Sequence, residues 1–146
     1  KVANFTSSSE KFKIGKGLKL KDGNDVTIVA TGHLVWEAIK ASEKLAENGI
    51  NAEIINIHTI KPLDEDIILK SVSKTGCLVS AEEHNIYGGL GESISRLLVT
   101  KLPSPQEFVG TKDTFGESGP PSELMNKYGL NSLSIYNSTV EVLKRK

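Results

Sequence analysis

Ala81-Glu82-Glu83-His84-Asn85-Ile86-Tyr87-Gly88-Gly89-Leu90-Gly91-Glu92 joins the apolar run Cys77 to Ala81 to a helical pattern through a polar, glycine-rich turn. Strand, turn and helix in that order are the unit of open α/β sheets, and the turn lies where such sheets collect ligands or partners. The same unit occurs twice upstream. Val26 to Ala30 is short, β-branched and free of charge, as a strand covered on both faces must be, and Thr31-Gly32 ends it. Ala52 to Ile57 then runs into His58-Thr59-Ile60-Lys61-Pro62-Leu63-Asp64, again a strand end, a turn and a helix start.

Helical spacing follows each strand. Val35, Ala38, Ile39, Ser42, Leu45 and Ala46 form one face, Glu37, Lys40, Glu43, Lys44 and Glu47 the other, and Asn48-Gly49 stops the helix. Asp64 is placed to cap a second helix whose Ile67, Ile68 and Val72 face the core. Gly89-Leu90-Gly91 opens a third, carrying Leu90, Ile94, Leu97 and Leu98, and Phe108-Val109-Gly110 reads as a last short strand. Phe115-Gly116-Glu117-Ser118-Gly119-Pro120-Pro121 is too rich in glycine and proline for a regular element. A short helix from Ser122 to Tyr128 follows, then a final helix capped by Asn131 or Ser132 and buried through Ile135, Thr139, Val142 and Leu143. Lys144-Arg145-Lys146 suits the negative end of that helix.

Toward the N-terminus, residues 1 to 11 are polar, with Ser7-Ser8-Ser9, and read as a linker or unstructured arm, leaving 12 to 146 as the folded domain. Phe12, Ile14, Leu18 and Leu20 alternate, and Lys21-Asp22-Gly23-Asn24 supplies a turn before Val26, so this region reads as a hairpin into the first core strand. The expected fold is a three-layer α/β/α domain with a five-stranded, mostly parallel sheet. Its first strand, near Gly17 to Leu20, runs antiparallel to the rest.

The 146 residues fit one domain, long enough to bury about two thirds of its unfolded surface. Eighteen basic residues balance eighteen acidic ones, which argues against nucleic acid or an anionic membrane as partner. No apolar run approaches the roughly 20 residues of a membrane span, and the single Cys77 cannot form an internal disulfide, so a reducing, cytoplasmic setting is expected. Cys77, at the start of a buried strand, reads as core rather than nucleophile. The first residue is lysine, which suggests an excised fragment of a longer chain. Asn4-Phe5-Thr6 and Asn137-Ser138-Thr139 match the glycosylation pattern but lack a secretory context.

All three histidines, His33, His58 and His84, fall just after an expected core strand and so share the carboxyl edge of the sheet, with Glu82, Glu83 and Asp113 near them. Spread over three loops, they lack the local spacing of a metal site. A polar rim for another domain or subunit is the expected role, with His58, Glu83, His84, Asn85 and Tyr87 as candidate interface residues. Gly88, Gly89 and Gly91 invite comparison with phosphate loops, yet Ile94 stands where a dinucleotide fingerprint wants a small residue. Gly32, Gly88, Gly89 and Gly91 are therefore read as structural turn residues, and no catalytic, cofactor-binding or metal residue is assigned. A free-standing module sensing a small anion at the Gly32 or Gly89 helix starts is the alternative of a different class.

Several segments, in order, resemble the C-terminal domain of transketolase and its relatives among the thiamine-diphosphate enzymes: Phe12-Lys13-Ile14-Gly15-Lys16-Gly17, Val26 to Gly32, His58 to Asp64, Glu83 to Glu92 and Phe115 to Gly119. The resemblance runs from about Phe12 to the C-terminus, and the last segment looks more like transketolase than like deoxyxylulose-phosphate synthase or the beta subunits of 2-oxo-acid dehydrogenases. It implies an enzyme that moves a two-carbon ketol unit between sugar phosphates, with thiamine diphosphate and a divalent metal held between two other domains at a dimer interface. It also implies that this domain binds no cofactor itself. The family's Gly-Asp-Gly cofactor motif finds only Lys21-Asp22-Gly23-Asn24 here, without the first glycine. The partners implied are the remaining transketolase domains or subunit, in a homodimer of the whole enzyme.

Overall fold

The computed structural model describes residues 12–146; the segment read as a linker, 1 to 11, lies outside them. Ten elements follow in order: β1 (Leu18–Lys21), β2 (Val26–Ala30), α1 (Leu34–Glu47), β3 (Ala52–Asn56), α2 (Glu65–Thr75), β4 (Leu78–Asn85), α3 (Leu90–Lys101), β5 (Gln106–Thr111), α4 (Pro121–Lys127) and α5 (Ser132–Leu143). One five-stranded sheet has the order β1-β3-β2-β4-β5, parallel throughout except for β1.

Side chains of β2 divide the core because successive residues point to opposite faces. Val26, Ile28 and Ala30 join Leu34, Ala38, Leu45, Ile135 and Val142 under α1 and α5. Val29 joins Ile55, Ile68, Val72, Leu90, Ile94 and Leu98 under α2 and α3. Thr27, on that second face, is fully buried among polar partners, with its hydroxyl 2.6 Å from Ser71 and 2.7 Å from Thr75. A strand that reads as a β-branched run free of charge therefore carries one hydroxyl that α2 is built to receive.

Five sequence expectations need correction. Lys21-Asp22-Gly23-Asn24 is not a hairpin turn, because β3 lies between β1 and β2. The connection crosses the start of β3 instead: the Asn24 and Asp25 amides both donate to the Asn51 carbonyl at 3.0 Å, and a Cβ on Gly23 would lie 2.2 Å from the Ala52 carbonyl carbon. Asp64 precedes α2 but does not cap it; its carboxylate accepts from the Gly17 amide at 2.9 Å and from Lys16, tying the β1 approach to the α2 start. Glu37, assigned to the outer face of α1, is buried, and Ala46, assigned to the inner face, is exposed. Glu37 turns inward because it accepts from the Ser132 amide at 2.8 Å and pairs with Lys40. Past α5, the basic tail serves the sheet rather than its own helix end: Arg145 donates to the Gln106 carbonyl at 2.8 Å and Lys146 to that of Asp25 at 3.2 Å. The strand β4 runs on through Glu82-Glu83-His84-Asn85, so His84 lies within a strand and not after one. Its pairing with β5 shifts between Ala81 and Asn85, which lets this polar end leave the core.

Candidate functional site

Chain direction sets where a site can form. From β2 the chain passes through α1 to β3 on one side, then through α2 back past β2 to β4 on the other. The reversal opens a crevice between the carboxyl ends of β2 and β4, the position where doubly wound sheets hold ligands. A cavity of about 380 Å³ lies there, lined by Thr31, Gly32, Ile60, Glu82, His84 and Gly89 among others. A larger one, about 710 Å³, adjoins it between α1, α4 and α5, with His33, Lys40, Glu83, Met125 and Leu133 in its walls.

Glu82 dominates the smaller crevice. Only 2% exposed, it accepts from the Leu90 amide at 2.7 Å with one oxygen and from the Gly91 amide at 2.8 Å with the other. Those are the orphan donors at the start of α3, and a carboxylate there also meets the positive end of the helix dipole. The cap comes from another element, eight and nine residues back in sequence. Gly89 makes room for it, since a Cβ there would lie 2.0 Å from Glu82 Oε2. Gly88 has a different reason to be glycine: its φ is 78°, with open space around it. Its amide donates to Glu92 at 2.9 Å, a second carboxylate at the same helix start. A Cβ on Gly91 would meet Phe108 at 2.6 Å, and Gly32 has a φ of 57°.

Four of the candidate interface residues, Glu83, His84, Asn85 and Tyr87, lie together at and just past the end of β4. His84 Nδ1 is 2.8 Å from the Asn85 carbonyl and 3.9 Å from Glu82 Oε2. Asn85 accepts from the Tyr87 amide at 3.0 Å and donates to Asp113 at 3.2 Å, fastening the β4 and β5 ends together. His58 stands apart, its Nδ1 2.8 Å from the Thr59 hydroxyl and its ring tilted against that of Phe12 with centroids 4.3 Å apart. His33 heads α1 and lines the larger cavity. The three histidines thus share an edge without converging. Among the described residues, no group of three or more His, Cys, Asp or Glu side chains is placed to hold a metal ion.

The edge is also less polar than its sequence implies. Seven large apolar side chains are exposed among the described residues: Phe12, Ile14, Ile60, Tyr87, Val99, Phe115 and Leu133. All but Val99 belong to segments at the carboxyl edge. Sequence reasoning named only Tyr87 of these six as an interface residue and read Phe12 and Ile14 into a strand alternation, whereas β1 starts at Leu18 and both are exposed.

A parallel sheet with one antiparallel edge strand, α1 and α5 on one face and α2 and α3 on the other, and a crevice where the strand order reverses define a doubly wound α/β domain. The family described as "Transketolase, C-terminal domain" matches residues 15–135, and the chain belongs to it. It is 44% identical over 145 residues to a 6-deoxy-6-sulfo-D-fructose transketolase subunit of Clostridium sp. (strain MSTE9), covering 99% of this chain and 45% of the relative. It is 41% identical over 135 residues to the 1-deoxy-D-xylulose-5-phosphate synthase of Desulforudis audaxviator (strain MP104C), covering 91% of this chain and 21% of that one. A solved structure titled as a split-gene transketolase, an inactive beta4 tetramer, superposes with a TM-score of 0.95 at 37% identity, over 98% of this chain and 47% of the other. The chain therefore spans less than half the length of these relatives.

Proposed function

We propose that this chain is the C-terminal, structural and subunit-contacting domain of a transketolase that moves a two-carbon ketol unit between sugar phosphates. The remaining domains, on the same polypeptide or a companion subunit, hold thiamine diphosphate and its divalent metal, and the whole enzyme is a homodimer. One observation carries the division of labour. The α3 start, the natural seat for a diphosphate, has its Leu90 and Gly91 amides taken by buried Glu82, and a second carboxylate, Glu92, sits beside it. These residues do not fit the cofactor, and an anion entering here would meet two negative charges. The same occupancy weighs against a free-standing anion sensor at Gly89.

Contact through the carboxyl edge is supported by the six exposed apolar side chains there and by the polar groups of Glu83, His84 and Asn85 among them. Interfaces combine apolar anchors with a polar rim in this way. A reducing, cytoplasmic setting belongs to the same proposal and is supported by Cys77, the single cysteine, which is a free thiol. Among the described residues, no helix is long and apolar enough to cross a membrane. The identity to deoxyxylulose-phosphate synthase keeps a second reading open, in which the same domain serves that enzyme.

Calorimetry of the purified chain with thiamine diphosphate and magnesium tests the proposal. The expected result is no heat of binding and no ketol transfer. Saturable binding or turnover by this chain alone would overturn it.

A further inference from the structure

Residues 112 to 120, between β5 and α4, are exposed throughout and adopt no regular structure. Phe115, within them, is 99% exposed, more than any other large apolar side chain among the described residues. A phenyl ring held wholly in water is unfavourable, and none of the described residues covers it. The backbone around it is nonetheless braced. The Tyr128 hydroxyl donates to the Phe115 carbonyl at 3.2 Å and accepts from the Glu117 amide at 2.9 Å, holding the backbone around Gly116 just C-terminal to the ring. Lys127 pairs with Glu117 at 2.6 Å, and Asp113, at a φ of 48°, accepts from Asn85 on β4. A loop that presents an aromatic ring while its backbone is held in place has already met much of the ordering cost of docking.

From this geometry we infer that Phe115 is an anchor that inserts into an apolar recess of the part of the enzyme lying outside residues 12–146. The inference rests on the reading of this chain as a C-terminal domain and adds the residue and the partner. Two observations select that partner over a second copy of this domain. Phe12, the first described residue, packs its ring against His58, so the point at which the described chain begins lies at the same carboxyl edge of the sheet that carries Phe115. The relatives extend well beyond the matched region, and on the reading proposed above their counterpart in this enzyme offers a partner surface of ample size. Tyr128 acts as a positioning residue for the loop.

Photo-crosslinking of the whole enzyme tests the partner. Phe115→p-benzoylphenylalanine should crosslink to a peptide outside residues 12–146; a crosslink to this domain in the same or a second copy, or none at all, overturns the inference. Hydrogen exchange supplies an independent reading. In the whole enzyme, Phe115→Ser should accelerate exchange at the amides of residues 113 to 119 by about tenfold or more, whereas Val99→Ser on α3 leaves them unchanged. Equal exchange in wild type and Phe115→Ser also overturns it. Failure here is separable from failure of the edge as a contact surface: if His84→Ala still weakens assembly, the edge stands and only the role of Phe115 falls.

Discussion

Gly89→Ala is the most direct perturbation of the crevice. The backbone at Gly89, φ −98° and ψ −156°, is open to any residue, so the substitution brings no conformational strain of its own. Its new methyl would lie 2.0 Å from Glu82 Oε2 and 2.6 Å from Cδ. An exposed carboxylate would swing aside, but this one is 2% exposed and held by the Leu90 and Gly91 amides at 2.7 and 2.8 Å. Moving it breaks or stretches bonds to a charged group, each worth roughly 1.5–3 kcal/mol, at a helix start that is then uncapped. Replacing glycine also removes about 0.4–1 kcal/mol of unfolded-state freedom, which offsets part of the loss. With one of the two bonds lost and the other only weakened, the net cost is about 2–3 kcal/mol. With an unfolding entropy of about 0.3 kcal/mol/K for a chain of this size, the midpoint should fall by about 6–10 °C in calorimetry. Gly88→Ala meets open space and should cost only about 1 kcal/mol for its left-handed φ. An unchanged midpoint for Gly89→Ala, or a larger drop for Gly88→Ala, would refute the carboxylate cap as the reason for this glycine.

Burial works against ionisation of Glu53, yet hydrogen bonds from Lys74 and Ser71 outweigh it and hold its carboxyl below the usual glutamate value. A carboxylate depressed in the folded state contributes stability that is present above its ordinary pKa and lost as pH falls through the folded value. Glu53→Gln should therefore lower stability at neutral pH and flatten the acid limb of a denaturant-midpoint profile; a parallel limb would refute it. His84→Ala in the intact enzyme should weaken assembly, with sedimentation and rate falling together on dilution and rate recovering at high concentration. A variant that stays assembled yet loses most of its kcat would place His84 in the chemistry instead. Asn131→Ala removes the side chain that accepts from the Ser134 amide at 2.9 Å and should cost about 1 kcal/mol in unfolding experiments.

Local sequence determined much of this protein. The β2 strand falls at Val26–Ala30 because an unbroken β-branched run between turn residues has few other solutions, and α1 ends at Glu47 where Asn48-Gly49 stops it. Three strand-turn-helix units in succession imply the parallel sheet and the shared edge of the histidines. What lay beyond sequence was partnership across distance. Val26 to Ala30 gives no sign that β3 rather than β1 lies beside β2, since hydrogen-bonded neighbours are chosen by which layers cover which face. Glu82 reads as one acid of a polar turn, because capping α3 from a neighbouring strand needs β4 to continue past Ala81 and Gly89 to pass close by. Phe12, Ile60, Phe115 and Leu133 are scattered single residues in the chain, and only the order of strands brings them to one edge. Periodicity and turn chemistry act over a few residues and are written locally, whereas the crevice, its carboxylate and the apolar edge come from contacts between segments far apart in the chain.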